Sequence, residues 1–381
     1  MKIRSYSWGA ANLSWSNVIE ELLCAAETAG HQVDFISTNG TAGMRRFNDA
    51  TVISALASER AMAQTHTPYD LDLTFTVPNN FPDRFLKTSK VRLAITDYES
   101  HPAPADWRKW YHIPDRILPG SNWVAETLIA GGCPKEKLCV VPHGVDLAMF
   151  NPAVIPYPIN TSKKFKFLCV AEPHYRKQID VLLDVYCSTF TSADDVCLVL
   201  KTKLFKPGEE RKPFEQDLQP ILAGLVKSMG RTMPEIKIIN ERLPSIASLY
   251  TACQAFVLMT AAEGFGVPFL ESLACGLPII APRFSGHLDF LSDENSILCD
   301  GGTRKARSVE QYWGQTPGSQ VGNPSPKKFA AAMLNVYKNY EEVKTKLMPG
   351  MMATAQQFTW ANAMNKIIDV AKSVRPDIEV V

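Results

Sequence analysis

Along this chain, short apolar runs alternate with longer stretches of helical periodicity, and the alternation restarts once. The run Lys2 to Ser7 predicts a strand, and Ser16 to Ala29 carries apolar residues at helical spacing until Gly30 stops it. Gln32 to Ser37 then predicts a second strand, so the opening residues form a βαβ unit whose first loop holds Gly9 and Ala10. Further strands are expected at Leu73 to Val77, Val91 to Thr96, Arg116 to Pro119 and Leu138 to Val141, with a helix over Asn122 to Gly131. The segment from Asn151 to Pro158 carries three prolines, cannot hold regular structure and suits a linker. Beyond it, strands are expected at Phe165 to Val170, Val196 to Lys201, Ile236 to Ile239, Phe256 to Met259, Leu277 to Ala281 and Ser296 to Leu298, with helices between them. Thr303 to Pro326 is polar and rich in Gly, Pro and Ser and reads as a surface insertion, after which Lys327 to Tyr340 and Ala353 to Val374 return to helical spacing.

Two runs of alternating strands and helices predict two α/β domains, each a doubly wound parallel sheet of the Rossmann-like kind. The expected boundaries are 1–152 for the first and 153–359 for the second, with a last helix following at about 360–381. A chain of 381 residues is long enough for two full cores. Ligands of such sheets sit at strand carboxyl ends, so two facing sheets are expected to share one cleft.

Composition narrows the function classes. Forty Lys plus Arg against 39 Asp plus Glu leave a net charge of +1, which supplies no global field toward nucleic acid or anionic membranes. Residues 1–150 hold 14 basic and 16 acidic side chains, a formal −2, which argues against broad phosphate-backbone docking there. Apolar runs such as Ala255 to Thr260 fall far short of the roughly 20 residues of a membrane span, and the N-terminus lacks a signal-peptide core, so the expected location is the cytoplasm. The nine cysteines stand singly and read as buried free thiols.

The most informative stretch runs from Glu263 to Phe290. Gly264 and Gly266 relax the turn after a strand, and Pro268 suits the first residue of a helix. Exposed backbone N–H groups and the positive end of that helix suit a diphosphate, which the glycines allow to approach closely. Glu263 on the loop and Glu271 about one turn into the helix bracket this position, and carboxylates are good acceptors for vicinal hydroxyls. Either glutamate alone would be an ordinary helix-start carboxylate.

Glu263-x7-Glu271, with Gly264-Phe265-Gly266-Val267-Pro268 and Ser272-Leu273-Ala274-Cys275-Gly276-Leu277-Pro278, resembles the signature of retaining GT-B glycosyltransferases of family 4. The resemblance extends to Val140-Val141-Pro142-His143-Gly144-Val145-Asp146, to Pro119-Gly120-Ser121-Asn122-Trp123 and to Phe358-Thr359-Trp360. It implies the GT-B fold, a nucleotide-diphosphate sugar as co-substrate (a UDP- or GDP-sugar), and no metal or other cofactor. It also implies that Glu271 binds the donor ribose and Glu263 the donor sugar, with backbone contacts from Gly264, Phe265, Gly266 and Val267, and that the C-terminal helix at about 360–381 crosses back onto the first domain. Lys177 matches the lysine that neutralises the departing diphosphate in that family. The family's arginine position holds Ala171 here, so Arg176, Lys201 or Lys203 is expected to supply the second charge. Gly9 and Ala10 resemble the small residues that let the diphosphate lie close to the first domain, and His101 is expected to contact the transferred sugar or the acceptor.

Other residues invite plainer readings. His143 suits a structural role at the end of the first domain, Asp70-Leu71-Asp72 reads as surface charge, and Trp107 and Trp110 fit packing under a loop as well as an acceptor groove. A nicotinamide enzyme is disfavoured because the loop after the first strand lacks Gly-x-Gly-x-x-Gly. A GT-B-like sugar-nucleotide epimerase and a non-catalytic nucleotide-sugar-binding module are the rival readings. The acceptor is left open among a saccharide, a lipid-linked glycan, a protein and a modified nucleobase.

Overall fold

The computed structural model describes residues 1–7, 14–37, 52–54, 68–206, 208–310 and 318–378. The chain divides into two compact units, Met1–Tyr98 with Pro102–Asp146 and Phe358–Val381, and Glu99–His101 with Leu147–Gln357.

In the first unit six parallel strands stand in the order β3-β2-β1-β4-β5-β6. They are β1 (Lys2–Ser7), β2 (Gln32–Ser37), β3 (Val52–Ser54), β4 (Leu71–Phe75), β5 (Val91–Ile95) and β6 (Arg116–Leu118). Helices α1 (Ser14–Thr28) and α2 (Asn122–Ala130) belong to this unit, and Ser121 caps α2 by accepting from the Val124 N–H at 3.2 Å. Strand β4 begins two residues earlier than its apolar pattern predicts, and this corrects the reading of Asp70-Leu71-Asp72 as surface charge. Asp72 is fully buried and accepts two bonds from Arg4 Nη1, each 2.7 Å, with the Leu86 N–H at 2.8 Å. Such a pair holds because each charge finds its partner and further hydrogen bonds inside the core. The strand expected at Leu138 to Val141 is reduced to a single bridge between Leu138 and Ile117.

In the second unit the order is β12-β11-β10-β7-β8-β9, again wholly parallel. The strands are β7 (Phe165–Val170), β8 (Val196–Lys201), β9 (Glu235–Ile239), β10 (Ala255–Val257), β11 (Ile279–Pro282) and β12 (Ile297–Cys299). Strands β7 and β8 are nearly continuous apolar runs because helices cover both faces of the sheet. Helices α3 (Ile179–Thr189), α4 (Leu218–Met229), α5 (Ala247–Ala252), α6 (Val267–Ala274), α7 (Pro326–Lys338) and α8 (Tyr340–Gln357) surround it. The expected surface insertion holds regular structure: β13 (Gly301–Lys305) and β14 (Gln320–Pro324) pair antiparallel, and Val321 is buried. The helix expected over Ala353 to Val374 is in fact two. Thr359 adopts an extended conformation and accepts from the Asn362 N–H at 3.2 Å, ending α8 and capping α9 (Trp360–Val374), which packs on α1.

Seven of the nine cysteines are buried. No described helix is long and apolar enough to cross a membrane.

Candidate active site

In the second sheet the chain builds outward from β7 through β8 to β9, then returns to lay β10, β11 and β12 on the other side. Strands β7 and β10 are therefore neighbours whose following loops diverge to opposite sides, the position at which open α/β sheets bind ligands. The loop after β7 carries Arg176 and Lys177, and the loop after β10 carries Glu263 to Gly266 and leads into α6. These loops are tied together, since the Ala261 N–H donates to the Arg176 carbonyl at 2.8 Å.

At their junction lies a buried charge cluster. Lys177 Nζ donates to both carboxylate oxygens of Glu263 at 2.7 Å, and Arg176 Nη1 lies 3.2 Å from Glu263 Oε1. Arg176 also donates to the Ala262 carbonyl and, through Nη2, to Glu99 at 3.1 Å. The Lys177 and Arg176 side chains are 13% exposed and that of Glu263 is 7% exposed, so these charges interact with little screening. Burial alone would raise the Glu263 carboxyl pKa; Lys177 and then Arg176 outweigh it and hold it down to about 2. His174, on the same loop, is pushed down to about 3 by burial and then by Arg176 and Lys177, so it stays neutral at physiological pH.

Beside this cluster α6 begins. Gly266 caps it in the left-handed region at φ 98°, and an added Cβ would lie 2.8 Å from the Phe269 ring. Phe265 is buried against Phe290, with ring centroids 4.9 Å apart, so the turn is anchored by its apolar side chain. Glu271 is the fifth residue of the helix and accepts from the Tyr250 hydroxyl at 2.5 Å. Tyr250 is wholly buried, stacked on Phe256 at 5.8 Å, and burial followed by the Glu271 charge raises its pKa, so it remains a donor. Glu271 is thereby held in one orientation.

The structure brings Lys177, Arg176 and Glu263 into direct contact, with Gly264, Phe265, Gly266 and Val267 forming the turn into α6 beside them. Of the three cations open for the second charge, Arg176 is the one at Glu263; Lys201 ends β8, and Lys203 pairs instead with Glu209 at 2.7 Å. His101 exchanges backbone hydrogen bonds with Gln320, at 2.9 and 2.6 Å, and so lies beside β14. Gly9 and Ala10 lie outside the described residues. In the first unit His143 bonds Asp97 at 2.7 Å and stacks on Trp360, in keeping with a structural role, and Trp107 is buried against Tyr98. Glu99, Tyr250 and Ser285 escape a reading of the sequence. Tyr250 stands in a separate helix, Ser285 lies in a loop whose pattern carries no chemistry, and Glu99 shares the loop after β5 with His101, the one residue there expected at the sugar or acceptor. Among the described residues no group of three or more His, Cys, Asp or Glu could hold a metal ion.

The chain is similar to known proteins in its second unit and in its fold. Residues 164–339 match the family model described as glycosyl transferases group 1. The Uncharacterized glycosyltransferase 335 of Sulfolobus islandicus rod-shaped virus 1 is 24% identical over 212 residues, covering 54% of this chain and 57% of its own. The chain spans about half the length of the curated relatives it matches, 45% and 57% for the first two. Among solved structures, Anabaena Alr3699/HepE in complex with UDP-glucose superposes with a TM-score of 0.72 at 14% identity, covering 98% of this chain and 100% of that one. Sucrose-phosphate synthase from Thermosynechococcus elongatus gives 0.69 at 15% identity, covering 99% and 100%. With two parallel-sheet Rossmann-like units the chain has the fold of the GT-B glycosyltransferases, and residues 164–339 of its second unit are similar to the glycosyl transferases group 1.

Proposed function

We propose that the protein transfers a hexose or pentose from a nucleotide-diphosphate sugar to an acceptor hydroxyl, with retention at the anomeric carbon and without a metal ion. The observation that carries this reading is the pairing of Lys177 and Arg176 with Glu263 at the sheet's switch point, beside the start of α6. An ionised carboxylate offers about four acceptor positions; Lys177 takes one on each oxygen and Arg176 lies at a third, so Glu263 can still accept from one sugar hydroxyl. Lys177 and Arg176 face the diphosphate and offset the charge that develops as the bond from the anomeric carbon to phosphate oxygen breaks. Backbone N–H groups of the turn into α6 take a phosphate oxygen. Glu271, aligned by Tyr250, accepts from the ribose hydroxyls.

In this scheme the acceptor oxygen attacks the face that the diphosphate leaves, and its proton passes to the departing phosphate oxygen. Two cations supply in this site what a metal supplies elsewhere, namely positive charge fixed where the leaving group forms. The uracil base is supported by the likeness to Anabaena HepE, which is solved with UDP-glucose, although GDP-sugars suit the same diphosphate chemistry. Anomer-resolved NMR of the transfer product tests the reading: retention is expected, and an inverted product contradicts it. Activity in excess EDTA is expected to match the untreated rate, and its loss would remove the metal-independent scheme.

A further inference from the structure

Among the described residues, two non-glycines have positive φ, Gln178 at 51° and Ser285 at 78°, and both adjoin the charge cluster. Ser285 is the more strained. Its ψ of −163° places it in a region that is essentially glycine-only, and a residue persists there only where its surroundings over-determine it. The surroundings here are Glu263. The Glu263 N–H donates to Ser285 Oγ at 2.9 Å, and the Gly286 N–H donates to the Glu263 carbonyl at 3.0 Å. Both backbone polar groups of Glu263 are thus satisfied by two consecutive residues of a neighbouring loop, in a place where Ser285 is only 4% exposed. The same loop continues with His287, whose Cβ lies 3.2 Å from where a Cβ on Gly266 would stand.

From this we infer that Ser285 is a positioning residue for the glycosyl transfer proposed above: its strained backbone aims Oγ at the Glu263 N–H, fixing the backbone of Glu263 so that its carboxylate meets Lys177 and the transferred sugar. Glycine would fit that conformation without strain, yet it cannot offer the hydroxyl. Stability and activity therefore pull in different directions at this position, as they do where strain serves a site.

The inference rests on the transferase reading, and the two are separable by experiment. Ser285→Gly and Ser285→Ala are compared with wild type and Glu263→Gln, using thermal melts, UDP affinity by calorimetry, and UDP release from UDP-glucose. Ser285→Gly is expected to melt above Ser285→Ala, because only alanine keeps the strain. Despite that difference both variants are expected to lose turnover alike, by about 5- to 150-fold, the range for leaving one buried N–H without its acceptor. UDP affinity is expected to hold in both, since UDP lacks the sugar that Glu263 contacts. Wild-type turnover in Ser285→Gly would overturn the positioning role, and so would a parallel loss of UDP affinity and turnover, which marks a merely structural residue. Unchanged turnover in Glu263→Gln would instead overturn the transferase reading itself.

Discussion

Replacing Glu263 by glutamine removes one negative charge from a buried cluster while keeping its shape, and the cost can be worked from two directions. The carboxyl pKa falls from an ordinary 4.5 to about 2 in the folded protein. At about 1.4 kcal/mol per pKa unit this depression corresponds to about 3 kcal/mol of stability. Breaking one side of a buried ion pair typically costs about 3–5 kcal/mol, because the partner is left uncompensated, and here that partner is Lys177. The two figures agree. For a unit of this size each kcal/mol shifts the melting temperature by roughly 2–4 °C, so Glu263→Gln should melt about 6–12 °C below wild type at pH 7. The pH dependence has a definite sign. A carboxyl with a depressed folded pKa contributes its full stabilisation well above pH 4.5 and loses it as the pH falls toward 2, so the gap between wild type and variant should narrow to under half by about pH 3. Differential scanning fluorimetry across that range measures both. A second substitution, Lys177→Met, should recover part of the lost stability, since an apolar side chain needs no counter-charge. A Glu263→Gln protein that melts with wild type at pH 7, or whose deficit is the same at pH 7 and pH 3, would refute the reasoning.

Other substitutions probe other parts of the site and fold. Lys177→Ala should lower turnover of the nucleotide sugar by about 10²-fold or more, the scale for one preorganised charge-stabilising donor, with Lys177→Arg recovering part of it in steady-state kinetics. Tyr250→Phe removes one buried hydrogen bond to a carboxylate and should weaken nucleotide affinity by roughly 10-fold in calorimetry while the protein stays folded. An unchanged affinity would separate Tyr250 from the function of Glu271. Gly144→Ala would drive a methyl group into the backbone of Thr359 and Trp360, so soluble yield and melting temperature should both fall; wild-type melting would contradict that packing.

Much of the second sheet is legible in the sequence because its strands are buried on both faces and read as unbroken apolar runs. Phe165 to Val170 and Val196 to Lys201 are bounded to the residue. Where burial and polarity part company the pattern misleads. Asp72 interrupts the apolar run of β4, yet it lies inside the strand because Arg4 on the neighbouring β1 compensates it, and no local pattern announces a partner so distant in the chain. The hairpin of β13 and β14 is hidden for a different reason: its residues are polar and glycine-rich, and its pairing is set by backbone hydrogen bonds rather than by apolar side chains.

The site divides along the same line. Glu263, the two glycines and Glu271 are visible because they share one contiguous segment in which turn, helix start and carboxylates are spaced by the helix itself. Lys177 and Arg176 lie far from it in sequence, and it is the adjacency of β7 and β10 that brings them to Glu263. Tyr250 and Ser285 act on groups already in the motif, through a buried hydroxyl in each case, and single residues of such common types carry no signal until their partners are placed.

A crystal structure of the protein soaked with UDP-glucose tests most directly where the donor binds. Its diphosphate is expected at the N-terminus of α6, within hydrogen-bond distance of Lys177 and of the backbone of Gly264 to Val267, with the ribose against Glu271. Density for the nucleotide anywhere else on the second unit, with Lys177 still bound only to Glu263, would contradict it.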